Sequence, residues 1–198
     1  MYNVRKVTED VVWIGGNDRR LALFENVFPI PQGVSYNSYV LKDKKTVLLD
    51  TADDAVSAVF FENLVHALDG RPLDYVVVNH MEPDHCALLA DVVRRYPDVT
   101  LVGNAKTFSI ISNFYGLEKA KRLVVKEGDS LACGKHTLYF YFAPMVHWPE
   151  VMAVYEDSQK VLFSADGFGN FGSLTDTDAW ADEARRYYGN IVGKYGVQ

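Results

Sequence analysis

An apolar run, Tyr75-Val76-Val77-Val78, leads without a break into Asn79-His80-Met81-Glu82-Pro83-Asp84-His85. Behind that stretch Leu88, Leu89, Val92, Val93 and Tyr96 recur at helical spacing. A buried strand therefore hands over to an apolar-faced helix through a junction that carries four ionisable side chains. Isolated charges at the end of an apolar strand are costly unless they are paired or metal-bound. Any fold for this chain must place the junction at a sheet edge where these groups meet one another or a cation. In extended backbone His80, Glu82 and Asp84 project to one side, and His85 follows in the first helical turn. Pro83 stiffens the crossing and removes a backbone donor. Asp84 is expected to act as the N-cap. Imidazole and carboxylate donors then converge on one or two cations beyond the strand end.

The rest of the chain supplies the setting. Residues 11–14 read as a short strand stopped by Gly15-Gly16, and 21–24 as another. Residues 35–41 read as one strand, turned back by Lys42-Asp43-Lys44-Lys45 into 46–50, which makes a hairpin. Asp53-Asp54 open a helix that presents Val56, Val59, Phe60, Leu64 and Leu68 on one face and stops at Gly70. After the junction helix come a strand at 100–102, a helix at 105–115 stopped by Gly116, and a strand at 122–125. Residues 130–143 form a second hairpin turning at Gly134-Lys135, and 151–155 with 161–164 a third. Asp178 is expected to cap a last helix through Trp180, Ala184, Tyr187, Tyr188 and Ile191. A doubly wound sheet needs fewer hairpins. Two sheets packed face to face, with helices outside, bury all of these apolar faces. The expected class is α+β.

The 198 residues suffice for one domain with a substantial core. A net charge of −6 argues against nucleic acid or an anionic membrane as the main partner. No apolar run approaches the roughly 20 residues of a membrane helix. The opening Met1-Tyr2-Asn3-Val4-Arg5-Lys6 lacks a signal-peptide core. Cys86 and Cys133 are the only cysteines, so no disulfide framework is implied. The cytoplasm is the expected compartment.

Two more residues join the candidate ligands. His147, in Met145-Val146-His147-Trp148-Pro149-Glu150, and Asp166, in Phe163-Ser164-Ala165-Asp166-Gly167, each follow a strand end. Asp166 could bridge two cations through its two oxygens, and Gly167 would let the backbone turn sharply beside them. His66, in the amphipathic helix, and His136, beside a hairpin turn, read as structural. Asp50 reads as a turn or supporting group, and Cys86 as a buried thiol.

His80-x-Glu82-x-Asp84-His85, His147 in His-Trp-Pro-Glu, and Asp166 in Ser-Ala-Asp-Gly-Phe-Gly together resemble the metallo-β-lactamase-like domain of the flavodiiron proteins, or A-type flavoproteins. The likeness runs from Asn17-Asp18-Arg19-Arg20 and Phe28-Pro29-Ile30-Pro31-Gln32-Gly33-Val34-Ser35-Tyr36-Asn37 to Arg186-Tyr187-Tyr188-Gly189-Asn190-Ile191. It implies a four-layer αββα sandwich, in accord with the hairpins. It also implies a non-haem diiron site that reduces O2 to water or NO to N2O. By motif match His80, Glu82, His147 and Asp166 would hold one iron, and Asp84, His85 and the same Asp166 the other. Hydrolytic members of the fold look like His-x-His-x-Asp-His and bind zinc. Here Glu82 stands at the second position, and three carboxylates mixed with imidazole suit iron or manganese. Tyr187, Tyr188 or ordered water would supply protons.

The resemblance has gaps. The family's second iron takes a further histidine well after the segment matching Tyr187-Tyr188, and this chain has none after His147. The last sandwich strands and helix have no counterpart. Nor does the flavodoxin-like domain, whose FMN passes electrons to the iron pair of the other subunit in a head-to-tail homodimer. Where family members often carry a histidine, this chain has Ala22. The expectation is thus a diiron domain over residues 1–198, truncated at its C-terminus, with FMN held elsewhere. A flavodoxin-like or rubredoxin-like protein is the expected electron donor. A dinuclear hydrolase and a non-catalytic dimerisation module are the alternatives.

Overall fold

The computed structural model describes residues 3–174 and 180–195; the expected cap at Asp178 lies outside them. The chain opens with strands β1 (Arg5–Lys6), β2 (Val11–Trp13), β3 (Gly16–Asp18), β4 (Leu23–Phe24), β5 (Phe28–Pro29) and β6 (Val34–Tyr36). Then come β7 (Tyr39–Lys42), β8 (Thr46–Leu49), helix α1 (Ser57–Leu68), β9 (Tyr75–Val77), α2 (Pro83–Cys86), α3 (Leu89–Arg95), β10 (Thr100–Gly103), α4 (Ala105–Phe114) and β11 (Lys121–Val124). The last part is β12 (Ser130–Ala132), β13 (Thr137–Phe142), β14 (Met152–Glu156), β15 (Val161–Phe163) and α5 (Trp180–Tyr187), which runs into a π-helical turn, Tyr188–Val192.

These strands make a seven-stranded sheet, in the order β1-β2-β7-β8-β9-β10-β11, and a four-stranded one, β12-β13-β14-β15. Alternation along the central strands builds two cores at once. Leu41, Val47, Leu49, Val77 and Val102 face the small sheet, where they meet Leu138, Phe140, Met152, Val154 and Phe163. Their neighbours Val40, Leu48, Val76 and Leu101 face the other way, onto Phe60, Leu64, Leu89, Val92, Phe108 and Ile111 of the helices. Strands buried on both faces explain the near-continuous apolar runs at 46–49 and 75–78. The α, β and β layers expected from the hairpins are thus in place. Tyr141 and Leu162, on the outer face of the small sheet, stay 46% and 47% exposed.

Four sequence expectations are corrected. Residues 35–41 are two strands: β6 pairs with β3 in a separate ribbon, and β7 enters the large sheet. Polar side chains cause the break, because Asn37 Oδ1 accepts from Trp13 Nε1 and Ser38 Oγ donates to the Asp50 carbonyl. The crossing is so close that a Cβ on Gly15 would lie 1.8 Å from the Tyr36 carbonyl oxygen. Val59 is 40% exposed, since it falls one residue off the stripe set by Phe60, Leu64, Ala67 and Leu68. Asp84 is not the N-cap. That position belongs to Glu82, whose side chain makes no capping bond, with Pro83 at the first helical position. The helix behind it is broken at Leu88 into α2 and α3.

Far from the junction, one buried imidazole ties turns of both sheets together. His136 Nδ1 lies 2.8 Å from Glu156 Oε1, and Nε2 3.2 Å from Asp10 Oδ2. Its backbone N–H donates to Asp43 Oδ2 at 2.8 Å. Its structural reading therefore holds. Burial alone would raise the Glu156 carboxyl, but His136 and the N–H groups of Gln159 and Ser158 hold it below its ordinary 4.5. A depressed folded pKa gives stability that is present above about 4.5 and lost as the pH falls. E156A is expected to cost about 3 kcal/mol at pH 7. In urea unfolding the gap to the wild type narrows below pH 4.5. A gap of the same size at pH 3 would refute the linkage.

Candidate metal centre

β8, β9 and β10 run parallel, so their C-terminal ends lie side by side, followed by Asp50, Asn79 and Asn104. Asp50 Oδ1 accepts the Asn79 N–H at 2.7 Å. The N–H and hydroxyl of Thr51 both donate to the His85 carbonyl, at 2.7 and 3.0 Å. The end of β8 thus fixes the backbone on both sides of the junction. Met152 N–H donates to the Asn79 carbonyl at 3.0 Å and fastens the small sheet to the same edge. The loop after β13 then brings His147, and the turn after β15 brings Asp166.

All six predicted ligands meet there. His80, Glu82, His147 and Asp166 bring donor atoms within 4.8 Å of one another, and so do Asp84, His85 and the same Asp166. Glu82 Oε2 lies 2.9 Å from His147 Nε2 and 3.3 Å from His80 Nε2. Asp166 Oδ2 lies 3.2 and 3.3 Å from those two nitrogens. Its other oxygen, Oδ1, lies 2.9 Å from His85 Nε2 and accepts from the Tyr187 hydroxyl at 2.8 Å. Asp84 Oδ2 is 3.6 Å from His85 Nε2. The two oxygens of Asp166 therefore serve the two donor sets separately.

The geometry fits cations better than it fits ion pairs. Asp166 Oδ2 and Asp84 Oδ1 are buried without a hydrogen bond among the described residues. The close nitrogens around Asp166 Oδ2 approach it without hydrogen-bond geometry. Such orphaned oxygens are expensive unless something positive sits among them. On the protein's own charges, protons take that place. Burial would lower His80 and His147, but Asp166 with Glu150 and Glu82 holds His80 up at about 11, and Asp166 with Glu82 holds His147 at about 9. Burial would raise Glu82, yet His147 and His80 pull it down to about 2. Asp84 is raised to about 6, by burial first and then by the charges of Asp166 and Glu82 against the opposing pull of His85. A cavity of about 200 Å³ opens beside the second set, lined by Tyr36, Asn37, Tyr39 and Asn170.

The supporting residues divide as follows. Asp50 Oδ2 stays 3.7 Å from His85 Nδ1, so Asp50 braces the junction. Cys86 turns its thiol to the Met81 carbonyl and the Tyr115 hydroxyl, and burial pushes it up to about 12. Tyr187 touches the site; Tyr188 is 56% exposed. Gly167 does not make the sharp turn, because Ala165 and Phe168 carry the positive φ angles, 49° and 67°. Two carboxylates were missed. Glu150 is fully buried against His80, and its place three residues after His147 was the available signal. Glu25 lies against Glu82 from the β4–β5 turn; burial first, then the charge of Glu82, raises it. No local pattern marks it.

Two stacked sheets carrying a shared His, Glu and Asp donor cluster at one edge define a metallo-β-lactamase-like domain. A family model described as "ODP family beta lactamase" matches residues 34–193, and the chain belongs to that family, as the diiron-domain part of the flavodiiron proteins. It is 34% identical over 195 residues to the anaerobic nitric oxide reductase flavorubredoxin of Klebsiella pneumoniae, covering 94% of this chain and 40% of the relative. Among solved structures it is similar to the flavodiiron protein of Giardia intestinalis, with a TM-score of 0.92 and 29% identity over 100% of this chain and 50% of that one. It is also similar to rubredoxin oxygen:oxidoreductase of Desulfovibrio gigas, with a TM-score of 0.93 and 26% identity over 98% of this chain and 50% of that one. The chain thus spans half or less of the length of these relatives. No helix among the described residues is long and apolar enough to cross a membrane.

Proposed function

We propose that residues 1–198 form the diiron domain of an oxidoreductase that reduces NO to N2O or O2 to water. The observation that carries this reading is the split of Asp166 between two adjacent donor sets. His80, Glu82, His147 and Asp166 would hold one iron; Asp84, His85 and Asp166 would hold the other. An iron pair held there would supply two electrons to a bound substrate and would carry more charge once oxidised. The carboxylates of Glu82, Asp84 and Asp166 match that state better than a neutral, nitrogen-rich set does. Tyr187 holds a proton on its hydroxyl, donated to Asp166 Oδ1, at the wall of the second set. Among the described residues, Asp84, His85 and Asp166 give that set three donors.

Reducing two NO to N2O and water takes two electrons and two protons, and O2 to water takes four of each. FMN on another domain or chain, in a homodimer or fed by a rubredoxin-like donor, is the proposed source. The relatives named for nitric oxide reduction and for a rubredoxin-dependent oxygen oxidoreductase support the class. Glu82 stands against a zinc hydrolase. The test is anaerobic reconstitution with ferrous iron. About two irons per chain, and oxidation of the reduced protein by NO or O2, are expected from the paired donor sets. Rejection of iron, with zinc uptake and ester or lactam cleavage, would replace this reading.

A further inference from the structure

Glu150 is fully buried, and its two oxygens are used unequally. Oε1 lies 2.8 Å from His80 Nδ1 and accepts the Met81 N–H at 2.8 Å. Oε2 is buried with no hydrogen-bond partner among the described residues. The Met81 N–H can only donate, so Oε1 is an acceptor, and His80 Nδ1 must carry a hydrogen to face it. Nε2 is then the nitrogen left to offer a lone pair, and Nε2 is the atom beside Glu82 and Asp166. The ring plane is fixed as well, since His80 stands edge-on to Trp148 with centroids 5.3 Å apart at 89°. Glu150 is itself anchored: its carbonyl accepts from Asn104 Nδ2 at 2.6 Å, and Asn104 Oδ1 caps α4. His85 has only a looser brace, with Asp50 Oδ2 3.7 Å from its Nδ1. That Nδ1 is buried without a hydrogen bond among the described residues.

We propose that Glu150 is a positioning residue that locks His80 in the Nδ1–H form and makes the His80, Glu82, His147 and Asp166 set the tighter of the two cation sites. This rests on reading that set as a metal site. Glu150 touches no cation; it acts through the imidazole, by fixing which nitrogen is free and by raising its basicity. The firmly braced set fills first, and the more loosely braced Asp84 and His85 side fills second.

The test uses the whole chain with 15N-labelled histidine, as wild type, E150Q and E150D, and zinc as a diamagnetic probe. Zinc titration against a competing chelator is expected to show two classes of site. E150Q weakens the tighter class by roughly 10- to 100-fold and leaves the weaker one unchanged, while E150D, which keeps the charge, recovers part of the loss. In the wild type the His80 Nδ1–H resonance is protected from exchange with and without zinc, and in E150Q it moves. Wild-type affinity for both classes in E150Q, with an unmoved ring signal, overturns the proposal alone. A wild-type chain that takes up no zinc overturns the metal-centre reading and this proposal with it. Should E150Q fail to fold, the wild-type spectrum decides: a protected Nδ1–H supports the lock, and its absence overturns it.

Discussion

D166A is expected to weaken uptake of both cations, by roughly a hundredfold each, whereas D84A weakens only one. The asymmetry follows from where the oxygens sit. Asp166 Oδ2 stands by His80 and His147, and Oδ1 by His85, while Asp84 belongs to the second set alone. Binding energies of roughly 10–16 kcal/mol for four-donor sites come to about 3 kcal/mol per donor, or roughly a hundredfold in affinity. The braced set would be left with three donors and the other with two. The substitution also strips the Tyr187 hydroxyl of its acceptor, which costs about 1–2 kcal/mol of stability. Iron analysis after anaerobic reconstitution, with urea unfolding as the control for folding, measures both. A D166A chain that keeps two irons as tightly as the wild type would show that the bridge is only apparent. A D84A chain that keeps none would show that the two sets are one.

The contrast between Asp166 and Glu150 shows what the sequence discloses. His80, Glu82, Asp84 and His85 were legible because strand alternation and one helical turn bring them together locally. His147 and Asp166 were legible because each follows an apolar strand, and polar groups at strand ends gather at edges. Glu150 has a similar position, but its role depends on a contact 70 residues away with His80, which no local period encodes. Glu25 has no signal at all, because only the β4–β5 turn carries it to Glu82. The layers followed from hairpins and two-sided apolar strands. The split of 35–41 escaped because side-chain hydrogen bonds at Asn37 and Ser38, not hydrophobic alternation, end β6. Asp84 looked like a cap by residue type; Pro83 made a cap unnecessary by removing one of the donors that needed it.

Raising the pH from about 6 to 9 is expected to destabilise the chelator-treated chain and to tighten its hold on zinc or ferrous iron. For the chain alone, His147 and His80 are raised from 6.5 to about 9 and about 11. Their contribution is whole below 6.5 and is lost as the pH climbs through those values. Glu82, lowered from 4.5 to about 2, contributes above 4.5 and fails as the pH falls toward 2. Asp84, raised from 3.8 to about 6, costs stability as the pH climbs between those values, and the cost is complete above 6. The chelator-treated chain is therefore most stable near pH 4 to 4.5, and it goes on losing stability from pH 6.5 to 9, more through buried His80 than through the partly open, solvent-screened His147. Cations reverse the slope, because they require His80 and His147 without the protons that face the site. Each proton displaced makes the apparent affinity rise about tenfold per pH unit. Calorimetry in buffers of different ionisation enthalpy is expected to register about two protons released per cation at the first set near pH 7. The melting temperature should fall with pH in chelator and rise with pH in zinc, so the two curves diverge. Parallel curves, or uptake without proton release, would mean that these imidazoles do not give up their protons to a metal, and that the cluster is an ion-pair network closing one end of the sandwich.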